Sequence, residues 1–206
     1  MHALPPRFPL HAARIVAALF TVACSSSQLV HSWHDPEVPS SPFRDVLVID
    51  VRPDVAGREL WEHAVAAALI QQGIKATPSH ELFPSSLPDT QQVIAAVRSR
   101  GFDGVIVTHR QSIETRTVPT PPRAPGDVTP DGLGRFHLGP PAPAEPLVEV
   151  AVQYEIDAWR TGERGRLVWT GATRTINPTS RAQVQHEVME LAIPEMVRLG
   201  ILPPKS

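Results

Sequence analysis

Three strand-like segments separated by two helical patterns constrain the fold of this chain most strongly. Residues 46–49 form a continuous apolar run that ends at Asp50, and residues 105–107 form a second run that leads to His109. Strands that are apolar on both faces lie in the centre of a sheet covered by helices. A short strand at 74–77 lies between them. The order strand–helix–strand–helix–strand predicts parallel pairing with right-handed crossovers.

The two intervening segments have helical spacing and helix-end signals. The first helix is predicted over 55–72, with Gly73 ending it. Its buried stripe is predicted at Leu60, Ala64, Ala67 and Ala68, with Trp61 and Val65 beside it. The second helix starts at Asp89, where Gln92 completes a capping box, and ends at Gly101. Its predicted buried stripe is Val93, Ala96 and Val97.

The rest of the chain changes character twice. Residues 111–146 hold nine prolines and four glycines, which predicts a long surface loop. Alternating apolar and polar residues from 147 to 157 predict a strand with one wet face, and residues 167–176 its antiparallel partner. Ser180 caps a last helix, which Pro194 is predicted to kink or interrupt. The predicted fold class is α/β (α+β) with a mixed sheet, in two or three layers: β-α-β-α-β, a proline-rich loop, a β-hairpin and a C-terminal helix.

The N-terminal segment has the pattern of a secretory signal peptide. Arg14 precedes a nine-residue apolar run that ends at Ala23, and Cys24, the only cysteine, follows it. Residues 21–24 resemble the lipobox of bacterial lipoproteins, which implies that Cys24 is acylated after cleavage. Ser25, rather than aspartate, then favours the outer membrane of a Gram-negative cell, on its periplasmic side. The alternative is a secreted protein with Cys24 as an incidental thiol.

These patterns divide the chain into a signal peptide (1–23), a lipidated tether (24–42) and one α/β domain (43–206) with the insertion at 111–146. The tether contains His31, His34 and Asp35, which could bind one metal ion together if this segment were helical. Pro36 disfavours helical geometry there, and a flexible tether does not preorganise ligands. We therefore predict no metal site.

Composition excludes several functional classes. The net charge is −2, and no lysine or arginine cluster is present, so we expect no nucleic-acid partner. The single cysteine excludes internal disulfides and multi-thiolate metal sites. Zinc-protease, phosphate-loop and nucleophile-elbow motifs are absent, and we predict neither a cofactor nor intrinsic catalysis.

One candidate ligand site remains. Asp50, Arg52 and His109 follow predicted parallel strands, as does His80, and open α/β sheets bind ligands at that edge. This arrangement keeps open an alternative function, binding or hydrolysis of a small molecule or cell-wall ligand. A purely structural interpretation of the same residues is also open, in which Asp50 caps a turn and the histidines are solvated. Exposed tryptophans among Trp61, Trp159 and Trp169 would instead indicate a protein partner.

Five segments in order, over residues 46–202, resemble a family of proteobacterial outer-membrane lipoproteins. They are residues 46–50, 58–62, 73–79, 101–107 and 167–173. That family's fold is similar to a small α/β domain of envelope-assembly proteins, including the N-terminal domain of the Tol-system propeller protein. The resemblance implies a lipid-anchored envelope protein that binds or assembles with an envelope partner. It implies no catalytic residue.

Overall fold

The computed structural model describes residues 26–37, 41–119, 128–130, 136–138, 146–162 and 165–205. The predicted signal peptide, Cys24 and most of the proline-rich insertion lie outside the described residues. None of the described helices is both long enough and apolar enough to span a bilayer.

A six-stranded mixed sheet organises the fold, in the order β1-β8-β7-β4-β2-β3. β2 pairs in parallel with β3 and with β4, as predicted, and β4, β7, β8 and β1 pair antiparallel. A small second sheet pairs β5 with β6. The strands are β1 (Ser26–His34), β2 (Asp45–Asp50), β3 (Lys75–Pro78), β4 (Gly104–Val118), β5 (Val128–Pro130), β6 (Phe136–Leu138), β7 (Leu147–Arg160) and β8 (Arg166–Ile176).

Two of the three described helices begin at the polar residues that the sequence predicts. Asp89 caps α2 (Thr90–Arg100) with a complete capping box, and Ser180 caps α3 (Arg181–Arg198). Asp54 caps α1 (Val55–Gln71) by accepting from the Gly57 N–H. Gly73 and Gly101 have φ values of 89° and 76°, the left-handed conformation that glycine adopts most easily. α3 continues through Pro194, so that residue does not end the helix.

The helices lie on both faces of the sheet, which gives three layers. α1 and α3 pack against one face around Val48, Ile106 and Ile156. α2 packs against the other face, where Val93 and Val97 contact the cluster around Leu47 and Val105. The predicted α/β class, parallel β-α-β-α-β unit, antiparallel hairpin and C-terminal helix are all confirmed.

Two predicted irregular segments are strands. Much of the predicted tether forms β1, an edge strand whose backbone pairs with β8. Polar and exposed side chains are common on edge strands, so the polar sequence of this segment did not distinguish a strand from an irregular tether. The first part of the predicted loop, residues 111–118, extends β4. It contains no proline, and its threonine, isoleucine and valine side chains favour a strand.

The buried stripe of α1 also differs from the prediction. Leu60 is 67% exposed, whereas Trp61, Val65 and Leu69 are buried. The large indole of Trp61 sets the rotation of the helix because burying it removes the most apolar area from water. On α2, Val93, Ala96 and Val97 are only half-buried.

Candidate functional site

A buried polar cluster lies at the carboxyl end of β2. The Asp50 carboxylate is inaccessible to solvent and accepts hydrogen bonds from the Arg52 Nε and, at 3.1 Å, from the Thr108 hydroxyl. Burial raises the pKa of the Asp50 carboxyl, although Arg52 and Thr108 act in the opposite direction. Asp50 and Arg52, both predicted to lie at the ligand edge, therefore pair with each other, and the Asp50 hydrogen bonds point into the protein.

Glu62 of α1 is the centre of this cluster. Its Oε1 accepts from the Asp50 N–H at 3.0 Å and from the Ser79 hydroxyl at 2.6 Å. Its Oε2 accepts from the His80 N–H at 2.7 Å and from His80 Nδ1 at 3.0 Å. The buried Arg58 guanidinium adds an ion pair, with Nε 3.9 Å from Oε1. One carboxylate thus joins α1 to the ends of β2 and β3.

His80 also faces the surface of α1. Its Nε2 lies 3.1 Å from the Nε2 of His63, and the two rings meet edge to face. Glu59, one helical turn before His63, completes a group whose ligand atoms all lie within 4.8 Å of one another. Glu59 and His63 are exposed and His80 is half-buried. These three residues have the chemistry and spacing to hold a metal ion.

His109, the fourth predicted ligand residue, lies apart from the other three. Thr108 points into the Asp50 cluster, and because neighbouring strand residues alternate, His109 lies on the opposite face. There its Nε2 is 3.2 Å from Glu155 Oε2. The structure therefore brings Asp50, Arg52 and His80 together without His109.

The face of the sheet opposite α1 and α3 has a second feature. α2 covers β2 and β4, while in the described part of the chain no helix covers this face on β7, β8 and β1. We call that uncovered area the open face. The strand registers place Asp157, Thr170 and Trp33 side by side across it. Trp33 is 44% exposed and Trp159, at its edge, is 37% exposed. Large exposed aromatic side chains at one surface are typical of binding surfaces.

A groove of about 550 Å³ separates α2 from the edge of the open face. Apolar side chains line most of it, including Val93, Ile94 and Val97 of α2 and Trp159 of β7. Asp157, Arg98 and Arg160 supply charge. A mostly apolar concavity of this size with a few polar groups is typical of a binding site.

Asp157 should make the stability of the protein depend on pH. Burial raises the pKa of its carboxyl, and neighbouring Glu155 adds to this effect, whereas Thr170 and His109 oppose it. The folded protein therefore favours the neutral Asp157 carboxyl. The stabilisation that follows is complete below the ordinary aspartate pKa and is lost as the pH rises through the raised pKa. We expect Asp157→Asn, which cannot ionise, to be more stable than the wild type at pH 7.

Urea unfolding followed by circular dichroism across pH would measure this difference. It should vanish below about pH 4, where both side chains are neutral. A wild type that is the more stable protein at pH 7 would contradict the assignment.

The three tryptophans considered as core residues or as a binding surface divide into two buried residues and one exposed residue. Trp61 and Trp169 are buried, whereas Trp159 is the exposed one. Sequence reasoning missed Glu62, Glu59 and His63. The available signal was the four-residue spacing of Arg58 with Glu62 and of Glu59 with His63, which places each pair on one helix face.

Comparison with solved structures gives distant similarities. Two dodecamer structures of PelC from Paraburkholderia phytofirmans, one of them a variant, match with TM-scores of 0.44 and 0.42 and identities of 12% and 14%. Each alignment covers 88% of this chain and 99% of the PelC chain. Lipoprotein GNA1162 from Neisseria meningitidis matches with a TM-score of 0.42 and 13% identity, over 75% of this chain and 99% of that one. The scan of protein families and the search of curated proteins found no match. Similarities this distant transfer no function to the chain.

Proposed function

We propose that this chain is a lipid-anchored envelope protein that acts as a binding or assembly module without intrinsic catalysis. The basic residue, short apolar run and Cys24 support acylation at that cysteine. Several acyl chains on one residue would hold the protein firmly, since each buried methylene contributes about 0.8 kcal/mol. The module would face the periplasm from the outer membrane.

The open face and its groove are the proposed binding surface, and the exposed Trp159 at their junction is the observation that carries the proposal. Trp33 lies on the same face. Tryptophan is enriched among the residues that dominate binding energies, particularly where a pocket adjoins them. A protein partner fits better than a compact ligand because the two indoles lie on strands separated by β8, roughly 10 Å apart.

The charged and apolar side chains of the open face indicate which side chains a partner would place against it. Asp157 and Glu155 are partly buried on the open face, and apolar side chains line the adjoining groove. A partner segment with an apolar side chain for the groove and a basic side chain near Asp157 would complement both. Such charge pairing mainly sets orientation and specificity, while the apolar contacts supply affinity.

Site-specific photocrosslinking in intact cells would test this surface. A photoreactive phenylalanine analogue replaces Trp159 or Trp33 in separate variants. The matched control replaces Leu60, which is exposed on α1 on the other side of the sheet. We expect the same protein adduct from Trp159 and Trp33 and none from Leu60.

Titration of the purified partner would then measure how much each tryptophan contributes to the binding affinity. Trp159→Ala should weaken its binding at least tenfold, as expected for a central interface tryptophan, whereas Leu60→Ala should have no effect. Equal adducts at all three positions, or unchanged affinity of Trp159→Ala, would refute the proposed surface.

The anchor is tested separately. Mass spectrometry of the mature N-terminus should find an acylated Cys24, and Cys24→Ser should release the protein from the membrane fraction. An intact N-terminal segment without fatty acid would contradict the anchoring part of the proposal and leave the binding surface to be judged by crosslinking.

A further inference from the structure

We propose that Glu59, His63 and His80 bind one divalent transition-metal ion of the zinc type. The inference is independent of the partner-binding surface, which lies on the other side of the sheet. Glu59 and His63 share a face of α1 because they are four residues apart. The 3-10 turn Ser79–Glu81, directly after β3, brings His80 to them. Two imidazoles and a carboxylate are a known ligand set of open zinc sites.

The positions of the two imidazole nitrogens fit a shared ion. The Nε2 atoms of His63 and His80 are 3.1 Å apart. Histidine nitrogens bind zinc at about 2.0–2.1 Å, so two that bind one tetrahedral ion lie about 3.3 Å apart, close to the observed separation. Glu59 has a carboxylate oxygen within 4.8 Å of a ring nitrogen of each histidine, and its exposed side chain can rotate to close this gap.

Glu62 prepares His80 for this role. Its Oε2 accepts a hydrogen bond from His80 Nδ1, which places the proton of the neutral ring on that nitrogen. The lone pair is therefore on Nε2, the atom that faces His63. Metal-binding histidines commonly donate their second nitrogen to a carboxylate in this way, which fixes both ring orientation and tautomer. Glu62 is itself held by Ser79 and by the Asp50 backbone, so the arrangement is rigid.

The other histidine–carboxylate contacts provide a useful contrast. In the part of the chain that the structure describes, only the group at Glu59, His63 and His80 brings three possible ligand residues together. His186 contacts Glu190 at 3.2 Å on α3, with both side chains largely exposed. That pair has the same residue types at the same helical spacing but lacks a second histidine and an orienting carboxylate. His186 is therefore the matched control.

Calorimetric titration of zinc chloride into the full chain tests the site. The protein carries no polyhistidine tag, is kept in detergent and is freed of metal with EDTA beforehand. We expect saturable binding of one ion, weakened at least tenfold by either His63→Ala or His80→Ala and unchanged by His186→Ala. Zinc should also raise the melting temperature of the wild type but not that of His63→Ala.

Three outcomes would overturn the site: no saturable binding, binding that survives both histidine substitutions, or binding that disappears only in Cys24→Ser. In each case the 3.1 Å contact is an ordinary hydrogen bond between imidazoles. His63 is exposed, so its substitution leaves the fold intact and gives a decisive result.

Glu62→Gln tests the orienting role. We expect a 10- to 100-fold loss of affinity, as for other carboxylates that orient a metal-bound histidine. An unchanged affinity would show that Glu62 does not position His80.

Discussion

Glu62→Ala is expected to destabilise the protein by about 3–5 kcal/mol, which is typical for removing one partner of a buried ion pair. The substitution removes the acceptor of four hydrogen bonds and leaves Arg58 without its carboxylate. Arg58 keeps its bond to the Phe83 carbonyl, but that group carries no charge to oppose the guanidinium. Equilibrium unfolding in urea, with EDTA present, would measure the loss.

Glu62→Gln separates the contribution of charge from that of shape. The amide keeps one acceptor oxygen for Asp50 and Ser79, but its NH₂ group then faces the two His80 donors. We expect a smaller loss of about 1–3 kcal/mol, the cost of buried donors left without an acceptor. Glu190→Ala, at an exposed carboxylate on α3, should change stability by less than about 0.5 kcal/mol. A Glu62→Ala loss no larger than that of Glu190→Ala would show that the cluster does not stabilise the fold.

Local patterns predicted the elements of this fold well. The uninterrupted apolar run before Asp50 could only be a buried strand or part of a buried helix, and the following helix and Gly73 favoured the strand. The polar residues at Asp89 and Ser180 marked helix starts because their side chains replace missing backbone partners. Such signals act over three or four residues, so one sequence is sufficient to find them.

The edge strand β1 was harder to predict than the central strands, for a physical reason. Burial distinguishes a central strand from a loop, but β1 is exposed on its outer side, so polar residues such as Gln28 and Ser32 are tolerated there. Its pairing with β8 depends on a strand more than 100 residues away. The apolar and polar pattern around β1 contains no information about a pairing strand so distant in sequence.

The group of Glu59, His63 and His80 was missed for the same reason. His80 follows His63 by 17 residues, and their contact depends on how β3 returns beside α1 after Gly73. The predicted rotation of α1 was also wrong, which would have turned Glu62 away from the cluster. The proximity of Asp50 and Arg52 could be predicted because a strand end alone brings them together.

The rotation of α1 can be tested by a pair of adjacent substitutions. Trp61 is 1% exposed, stacks on Tyr154 with ring centroids 4.2 Å apart, and lies beneath the Arg52 guanidinium. We expect Trp61→Ala to cost about 3–5 kcal/mol through lost burial and the cavity left behind. At about 2–4 °C per kcal/mol for a protein of this size, the melting temperature should fall by roughly 6–20 °C.

Leu60→Ala is the matched control, because Leu60 is the neighbouring residue on α1 and is mostly exposed. It should change stability by less than about 0.5 kcal/mol. Trp61→Phe should be milder than Trp61→Ala, since the indole N–H has no hydrogen-bond partner among the described residues and phenylalanine retains part of the stack. If Leu60→Ala proved the more damaging change, α1 would have the rotation that the sequence stripe of Leu60, Ala64, Ala67 and Ala68 predicted. Glu62 would then point away from Asp50, and the polar cluster at the end of β2 could not form.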